Sequence, residues 1–573
     1  MNTVSVTSQP PKILIMIPTN DHGGCEYNAL SFGKDLVENY QCEVYASFPL
    51  NDALEHMAAL VMRSGMHFMP FEGSFVKSDN IDAVRAQQTE AWRIFDELRP
   101  DAVFIPLPWP KRGQGMIAAC AGIGLPALIK FALVPEEWGS NEFVYEPCRK
   151  AIQSHRQTWF ANSAYSADLL EKHFKLTPQT VDHFHVGPIG IHRLAGDDMA
   201  MANETVPMTR EERLGLTNPD AFIVTTVARL STQKGYPYLL TAAFNLIERH
   251  PDLHFVWVGD GDLRQELEAQ IAMKGMQDHF SLLGFRSDVR EILQESDLFV
   301  LPTIYEGGCS QALLEAMEEG VPCVISDTSA VGEVITHKHD GLLAKCADAK
   351  DLEEQIELAL SSDDIREGLI ENALDTVQNY SAEIMFANTR TRIESLLGYE
   401  FQKRETPVAG ITSVGMQVGD DEALLDLEDP GFHGNPVART SSNGALSLWV
   451  DRRLGFWLRD DCLDQSKGLF IAGQQTISRE ALTDLRITVN GIELETLVTL
   501  EDEQGQWKIK ANFPDELREK GLKEGLFVLL NTPHTETAKT AFENATIRDQ
   551  VSFIIRKIAL PLSQPRGAKG KAG

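Results

Sequence analysis

Phe222-Ile-Val-Thr-Thr-Val-Ala228 is an apolar run that leads directly into Arg229-Leu-Ser-Thr-Gln-Lys234-Gly235. Runs that are apolar throughout are typical of parallel strands buried on both faces. After the glycine, apolar residues recur at helical spacing over residues 238–247. The stretch therefore predicts a strand, a turn that carries two cations, and a helix, which is the repeating unit of an open parallel α/β sheet.

The same unit recurs further along the chain. His254-Phe-Val-Trp-Val-Gly259 precedes a second helical pattern, and Asp297-Leu-Phe-Val-Leu-Pro302 leads through Glu306 to a helix predicted over residues 311–319. Ser310 stands where it would cap that helix, whose first amides and positive end would form an anion site. Ligands of open α/β sheets bind at the carboxyl edge of the strands, so we expect a binding site there.

Four charged residues, Arg229, Lys234, Glu306 and Glu315, follow the strands of this region. Taken singly they have simpler explanations, because loop cations are usually solvated and helical glutamates are usually exposed. Glu315, however, stands among apolar core positions, where burial of an unpaired carboxylate would be costly. Together, the cations suit a diphosphate and the carboxylates suit the hydroxyls of a sugar and a ribose.

At these positions the chain resembles the retaining GT-B glycosyltransferases of family 4, also called glycosyl transferases group 1, over residues 12–399. The resemblance rests on Ala228-Arg229-Leu230 with Lys234-Gly235, Val258-Gly259-Asp260-Gly261, Leu283-Gly284-Phe285-Arg286-Ser287-Asp288, Leu301-Pro302, Glu306-Gly307, Leu314-Glu315-Ala316-Met317, Gly320-Val321-Pro322 and Asp340-Gly341-Leu342-Leu343. It implies an α/β GT-B fold with two Rossmann-like domains facing a cleft.

The resemblance also implies roles for individual residues. Arg229 and Lys234 would hold the nucleotide diphosphate, Glu306 would contact the donor sugar beside the reacting carbon, and Glu315 would accept hydrogen bonds from the ribose. The further donor-binding residues implied by the resemblance are Gly23, Gly24, Phe285, Arg286, Gly307, Gly308, Ser310 and Gln311. The glycine pair in the first domain would let the backbone approach the donor phosphates.

The implied chemistry is sugar transfer from a nucleotide-diphosphate sugar to a glycan, lipid-linked or small-molecule acceptor, with retention of configuration. A leaving diphosphate gains negative charge in the transition state, so fixed cations stabilise that state more than the ground state. Lysine and arginine can serve in place of a metal, so we expect no metal ion and no cofactor. Glu306 is not assigned as a covalent nucleophile, because the resemblance implies no double-displacement carboxylate pair.

Two departures from the family pattern bear on the site. Glu306 and Glu315 enclose eight residues where the family usually has seven, which indicates an extra residue in the loop from Gly307 to Ser310. Ala132 stands where the family tends to place a histidine near the donor sugar, and His22 in the first glycine turn is an alternative source of one. Asn162-Ser163 resembles the family's strand-to-helix junction near the cleft.

The domain organisation follows from changes in pattern along the chain. Helical spacing near residues 381–397 gives way to a segment rich in Pro, Gly, Ser and Asp, and then to alternating strands with an Asn490-Gly491 hairpin signal. We predict an acceptor-side domain over residues 1–200, a donor domain over 201–380, a helix over 381–399 that crosses back to the first domain, an acidic flexible linker over 400–443, a β-sandwich-like accessory domain over 444–562 and a basic disordered tail over 563–573.

Composition narrows the class of partners and the location. A formal net charge of −31 argues against broad attraction to nucleic acid. No run approaches the roughly 20 apolar residues of a membrane span, and residues 1–11 lack a signal-peptide core, so we expect a cytoplasmic protein. Binding of the basic tail to the inner face of a membrane, which would make the association peripheral, stays an open alternative. The eight cysteines show no close metal-ligand pairing.

Two alternatives stand beside the transferase. A nucleotide-sugar phosphorylase, hydrolase or epimerase could use the same fold and the same diphosphate site. A non-catalytic glycan-binding or assembly protein is suggested by the absent histidine, the longer loop and the β-rich module. The sequence leaves open the donor base and sugar, the acceptor and linkage, the role of the module and the oligomeric state.

Overall fold

The structure of the protein is a computed structural model. It describes residues 10–20, 23–51, 54–72, 81–137, 142–177, 180–183, 209–286, 288–308, 310–328 and 330–404 and, beyond residue 404, separate strands and a few adjoining residues between 416 and 561.

The first domain is a seven-stranded parallel sheet in the order β3-β2-β1-β4-β5-β6-β7. Its strands are β1 (Lys12–Met16), β2 (Glu43–Phe48), β3 (His67–Pro70), β4 (Ala102–Leu107), β5 (Ala127–Phe131), β6 (Gln157–Ala161) and β7 (Asp182–His183). Its described helices are α1 (Gly24–Asn39), α2 (Glu55–Arg63), α3 (Ile81–Leu98), α4 (Gln114–Ile123), α5 (Glu142–Gln153) and α6 (Ala164–Phe174).

Both faces of this sheet are covered, which explains why its strands are apolar throughout. On β1, Leu14 and Met16 pack in the cluster that includes α3 and α4 residues, whereas Ile13 and Ile15 pack in the cluster with α1 and α2 residues. Successive side chains of a strand point to opposite faces, so each face needs its own apolar set.

The second domain is a six-stranded parallel sheet in the order β10-β9-β8-β11-β12-β13. Its strands are β8 (Phe222–Val227), β9 (Leu253–Val258), β10 (Phe280–Gly284), β11 (Leu298–Leu301), β12 (Cys323–Asp327) and β13 (Leu342–Lys345). Its described helices are α7 (Arg210–Leu214), α8 (Tyr236–Arg249), α9 (Arg264–Lys274), α10 (Val289–Gln294), α11 (Gln311–Glu318), α12 (Ala349–Leu360) and α13 (Asp363–Val377), with short 3-10 turns at Thr232–Lys234, Gln277–His279, Val331–Glu333 and Gln378–Tyr380. The strand order reverses between β8 and β11, and open sheets bind ligands at such a point.

A last helix, α14 (Ala382–Leu397), lies on the first domain. Ile393 and the following Phe401 belong to the apolar cluster of β1 and α1. The Arg392 side chain lies 3.2 Å from the Asp182 carboxylate, measured from Nε to Oδ2. The chain thus leaves the second domain and returns to the first. No described helix combines the length and the hydropathy that crossing a membrane requires.

Beyond residue 404 the described elements are strands that pair antiparallel. They are β14 (Met416–Val418), β15 (Glu422–Leu425), β16 (Phe432–Ser442), β17 (Ala445–Leu458), β18 (Gly468–Thr476), β19 (Arg486–Val489), β20 (Ile492–Glu493), β21 (Thr496–Leu500), β22 (Gln506–Asn512), β23 (Leu526–Asn531), β24 (Glu536–Thr537), β25 (Gln550–Val551) and β26 (Phe553–Pro561). All but β24 and β25 join one 11-stranded sheet.

These strands correct the linker predicted over residues 400–443, because β14, β15 and β16 lie within it. Strand β15 pairs with β26, and β16 pairs with β17. Local periodicity is weak in these segments. Their structure comes from pairing with other strands, one of which lies more than a hundred residues away in the chain. The predicted turn at residues 490–491 and the basic tail lie outside the described residues, although β19 and β20 pair across the former.

Candidate active site

Lys234 and Glu306 are brought together at the carboxyl edge of the second sheet. Lys234 ends the turn after β8, and Glu306 follows β11, the strand that pairs with β8. Lys234 Nζ forms an ion pair with Glu306 Oε1, and the two side chains are 15% and 13% exposed. Thr303 Oγ1 donates a hydrogen bond to the same carboxylate oxygen over 3.1 Å. A cation and a carboxylate that are both largely shielded from solvent therefore lie together at one end of the sheet.

Gly235 allows this approach. Its φ of +70° lies in the left-handed region, and a Cβ there would stand 1.8 Å from the carbonyl oxygen of Pro302. Any other residue would be strained and would push the turn after β8 away from the end of β11. The glycine of the Lys234-Gly235 motif thus places the lysine beside Glu306.

Arg229 lies on the same turn but has a different environment. Its side chain is exposed, and no described residue forms an ion pair with it. Its turn packs against Val258-Gly259-Asp260-Gly261, since a Cβ at Gly259 would lie 2.2 Å from the carbonyl oxygen of Ala228. The second glycine motif therefore supports the position of Arg229 through backbone contact.

Glu315 lies on α11, the helix that follows the Glu306 loop in the chain. Burial, together with the neighbouring Glu318, raises the pKa of its carboxyl to about 7. No described residue donates a hydrogen bond to its carboxylate. Such a group is suited to accept hydrogen bonds from the hydroxyls of a ligand.

Phe285 and Arg286, predicted to lie near a nucleotide base, differ in what holds them. Phe285 is 61% exposed. Arg286 instead forms a bidentate ion pair with Asp288, with Nε 2.7 Å from Oδ1, and Nη1 donates to the carbonyl oxygen of Arg213 over 3.3 Å. Burial by itself would raise the pKa of the Asp288 carboxyl, but the ion pair with Arg286 outweighs burial, and the pKa is lowered. The guanidinium of Arg286 is thus tied to the protein.

Ser310 and Gln311 lie at the start of α11, as the sequence predicts. Ser310 occupies the N-cap position, but its hydroxyl makes no capping hydrogen bond. Its φ of −71° and ψ of 133° give the extended backbone of a cap, so the backbone takes the capping conformation without the capping bond. Gln311 points toward the first domain, where its Nε2 donates to Asn28 Oδ1 over 3.3 Å.

The glycine turn of the first domain lies against the start of α11. Gly23 is the N-cap of α1, and a Cβ at Gly24 would lie 3.4 Å from Cγ of Gln311. The two predicted phosphate-binding segments, one from each domain, therefore meet. His22 lies outside the described residues.

Gly307 and Gly308 carry the loop of Glu306 into contact with the first domain. A Cβ at Gly307 would lie 2.2 Å from the carbonyl oxygen of Ala132, and one at Gly308 would lie 2.5 Å from Cβ of Asn162. These glycines leave room for close backbone approach between the domains. The loop after Glu306 thus packs against Ala132, the position expected to hold a histidine.

Several residues at this junction were not predicted as part of the site. Ser163 and Ser166, at the start of α6, both donate hydrogen bonds to the carbonyl oxygen of Gly307. Glu333 accepts hydrogen bonds from the backbone amides of α6. The Asn162-Ser163 junction was the one sequence indication of this contact, whereas nothing in the local pattern marks Glu333 or Thr303.

Residues 209–376 match the family model described as glycosyl transferases group 1. This segment is a glycosyl transferases group 1 domain. The domain contains the second parallel sheet with Arg229, Lys234, Glu306 and Glu315, so the predicted likeness to glycosyl transferases group 1 is confirmed for the part of the chain that carries these residues.

Curated relatives of the group 1 domain are glycosyltransferases. The UDP-Gal:alpha-D-GlcNAc-diphosphoundecaprenol alpha-1,3-galactosyltransferase of Escherichia coli is 37% identical over 142 residues, which are 24% of this chain and 36% of that protein. The alpha-D-kanosaminyltransferase of Streptomyces kanamyceticus is 32% identical over 189 residues, which are 32% of this chain and 48% of that protein. The chain thus spans less than half the length of these two relatives.

Solved structures extend the likeness to both parallel-sheet domains. A glycosyltransferase from Rickettsia africae aligns over 68% of this chain and 99% of its own, with a TM-score of 0.55 and 17% identity. HepE from Anabaena, solved in complex with UDP and glucose, aligns over 67% of this chain and 100% of its own, with a TM-score of 0.52 and 17% identity. The fold is therefore GT-B, with two Rossmann-like domains.

Proposed function

We propose that this protein is a retaining glycosyltransferase of family 4 that moves a sugar from a nucleotide-diphosphate sugar to a glycan, lipid-linked or small-molecule acceptor. The observation that carries the proposal is the largely shielded Lys234–Glu306 pair at the carboxyl edge of the second sheet, on a turn that also carries Arg229 and next to Gly307, which packs against Ala132 of the first domain. A pair in this place combines a phosphate-binding cation with a carboxylate for sugar hydroxyls.

In this proposal the cations act on the leaving group. When the bond between the anomeric carbon and the diphosphate breaks, negative charge collects on the diphosphate oxygens. Lys234 is held in place by Glu306, so its charge needs little rearrangement to meet that change. Arg229 is exposed and adds a second cation from the same turn. The metal-independent reaction expected from the family pattern is part of the proposal.

The carboxylates have separate roles. Glu306 orients the donor sugar beside the reacting carbon, and Thr303 keeps its carboxylate in position. Glu315 accepts from the ribose hydroxyls, and its raised pKa fits a carboxylate that awaits donors. Phe285 offers an exposed ring to the base, whereas Arg286 stays in its ion pair with Asp288 and stabilises the protein beside it.

The remaining parts of the chain extend the proposal. We assign the acceptor to the first domain, the antiparallel strands beyond residue 404 to an accessory all-β module, and the reaction to the cytoplasm, with peripheral binding at the inner face of a membrane left as an option. A role in polysaccharide biosynthesis fits this assignment. The carboxyl ends of both parallel sheets lie close together at the proposed donor site, and in this proposal the acceptor binds on the side of the first domain.

The test begins with nucleotide binding. Calorimetry of the full chain against UDP, GDP, ADP and TDP and their common sugar conjugates is expected to identify one base, and Lys234→Ala is expected to abolish or greatly weaken that binding. Lys350→Ala is the matched control, because Lys350 sits in the same domain in an exposed pair with Glu354 and should bind as the wild type does. No binding of any nucleotide by the wild type would refute the proposal and favour a glycan-binding scaffold.

The second step identifies the reaction. Incubation of the bound nucleotide sugar with and without candidate glycan and lipid-linked acceptors, followed by NMR of the product, reports both transfer and the anomeric configuration. A product with the donor's configuration supports a retaining transferase. Turnover that is the same with and without every acceptor would indicate a hydrolase or epimerase instead.

A further inference from the structure

The loop that carries Glu306 is held from two sides. Within its own domain, the Glu306 carboxylate contacts Lys234 and Thr303. One residue further on, the carbonyl oxygen of Gly307 accepts hydrogen bonds from the first domain, over 3.0 Å from Ser163 Oγ and over 2.7 Å from Ser166 Oγ. The position of Glu306 therefore depends on contacts in both domains.

Both serines are buried, and their hydroxyls point toward the carbonyl oxygen of Gly307. Ser163 and Ser166 are 0% exposed. Ser163 is the N-cap of α6, and its oxygen accepts the backbone N–H of Ser166 over 3.1 Å. Because that bond uses a lone pair, the hydroxyl proton of Ser163 is left for the carbonyl of Gly307. Two O–H donors thus converge on one carbonyl from the other domain.

A third contact joins the same helix to the second domain. Glu333, at the end of the 3-10 turn after β12, accepts hydrogen bonds from the backbone N–H of Ala164 and of Tyr165, each over 2.8 Å. These amides lie in the first turn of α6, where an intrahelical partner is absent and where the positive end of the helix favours an anion. A carboxylate from the second domain therefore completes a helix of the first.

The three contacts form one cluster across the domain boundary. The side chains of Ser163, Ser166 and Glu333 make short hydrogen bonds across this boundary. Gly307 lies so close to the first domain that there is no room for a Cβ at its position. If the domains separate, both the amides of α6 and the carbonyl of Gly307 lose these partners. The cluster can form only when the two domains are closed.

We infer that Ser163, Ser166 and Glu333 are positioning residues that make the placement of the Glu306 loop depend on closure of the two domains. This inference rests on the proposed function for its effect on sugar transfer. The role does not require contact with substrate. The serines act through Gly307, and Glu333 acts by holding α6, and with it both serines, against the second domain.

Amide hydrogen exchange of the full-length protein tests the contact directly and needs no ligand. We expect Ser166→Ala and Glu333→Gln each to speed exchange both at the start of α6 and in residues 303–308, on opposite sides of the boundary. Ser166→Thr, which keeps the hydroxyl, is expected to behave as the wild type. Ser154→Ala is the matched control, because Ser154 directly follows α5 and its hydroxyl donates to the carbonyl of Lys150 in that helix, within the same domain.

The catalytic consequence is measured on the same variants. The rate of nucleoside diphosphate release from the sugar conjugate of the bound nucleotide is expected to fall about 10- to 100-fold in Ser166→Ala, since small displacements of reacting groups have effects of this size. The Kd for the nucleoside diphosphate itself is expected to stay within about threefold, because Arg229 and Lys234 are unchanged. A variant that had merely lost stability would lose binding and activity together.

The two levels of the inference fail in different ways. Exchange in residues 303–308 that is unchanged in both Ser166→Ala and Glu333→Gln would overturn the inference, whatever ligand the protein binds. Wild-type rates of diphosphate release in both variants would overturn it as well. Failure of the wild type to bind any nucleotide would instead refute the proposed function, and the exchange result would still decide whether the cluster holds the loop.

Discussion

Replacing Gly307 by alanine should separate the two domains without straining the backbone. Gly307 is not among the glycines with positive φ, so alanine is compatible with its conformation. The three atoms nearest to the added Cβ all belong to residues 132 and 133 of the other domain. The substitution therefore acts as a wedge at the domain boundary.

The geometry sets the size of the effect. The added Cβ would lie 2.2 Å from the carbonyl oxygen of Ala132 and 2.4 Å from Cα of Leu133, whereas ordinary contacts begin near 3.4 Å. These are backbone atoms that cannot rotate away, so the two domains must separate by about 1 Å at this point. A displacement of about 1 Å at a reacting group reduces kcat on the order of 100-fold. The affinity for the nucleoside diphosphate should change far less, because its cations lie in one domain.

The assay compares kcat of sugar transfer, Kd by calorimetry and the midpoint of thermal unfolding in wild type, Gly307→Ala and Gly368→Ala. Gly368 is the matched control, since it lies within α13 with nothing within 4 Å of its Cβ position. Alanine there should leave activity unchanged and stabilise the helix by about 0.5–1 kcal/mol. Wild-type kcat in Gly307→Ala would refute the reasoning, because it would show that closure of this boundary does not govern the Glu306 loop.

Three further predictions concern the charged groups. In a double-mutant cycle of Lys234→Met and Glu306→Gln, each single change should lower the free energy of unfolding by about 1–3 kcal/mol. The double change should lower it by less than the sum of the two, because the ions stabilise each other. Strictly additive effects in urea unfolding would show that the two side chains do not interact. Glu315 has a pKa of about 7 in the folded protein against an ordinary value of 4.5, so the unfolded chain loses its proton first and stability should fall as pH rises between these values. That fall should disappear in Glu315→Gln. If the urea midpoint changes equally between pH 5 and pH 7 in the wild type and in Glu315→Gln, the raised pKa of Glu315 is refuted. Arg286→Ala should lower the free energy of unfolding by about 1–3 kcal/mol, because it removes a bidentate partner from the buried Asp288. Its nucleotide affinity should change less than threefold or so, and a loss above roughly tenfold at unchanged stability would instead assign Arg286 to the base.

Local pattern was sufficient for the two parallel-sheet domains. Strands such as β8 and β9 are buried on both faces, so they appear in the sequence as apolar runs bounded by glycine turns. Because parallel strands all end at the same edge, the residues that follow them can be assigned to one site from their order in the chain. The same reasoning was weaker beyond residue 400, where β15 and β16 depend on pairing with other strands and show little pattern of their own.

The sequence by itself determined the fold class and the set of groups at the sheet edge, because burial on both faces and the order of strands are recorded in local composition. Only the tertiary structure decided how those groups are used. It paired Lys234 with Glu306 while leaving Arg229 exposed, and it tied Arg286 to Asp288. It also brought Ser163 to Gly307, residues that are 144 positions apart in the chain, so the contact has no local signature and arises from the packing of one domain against the other.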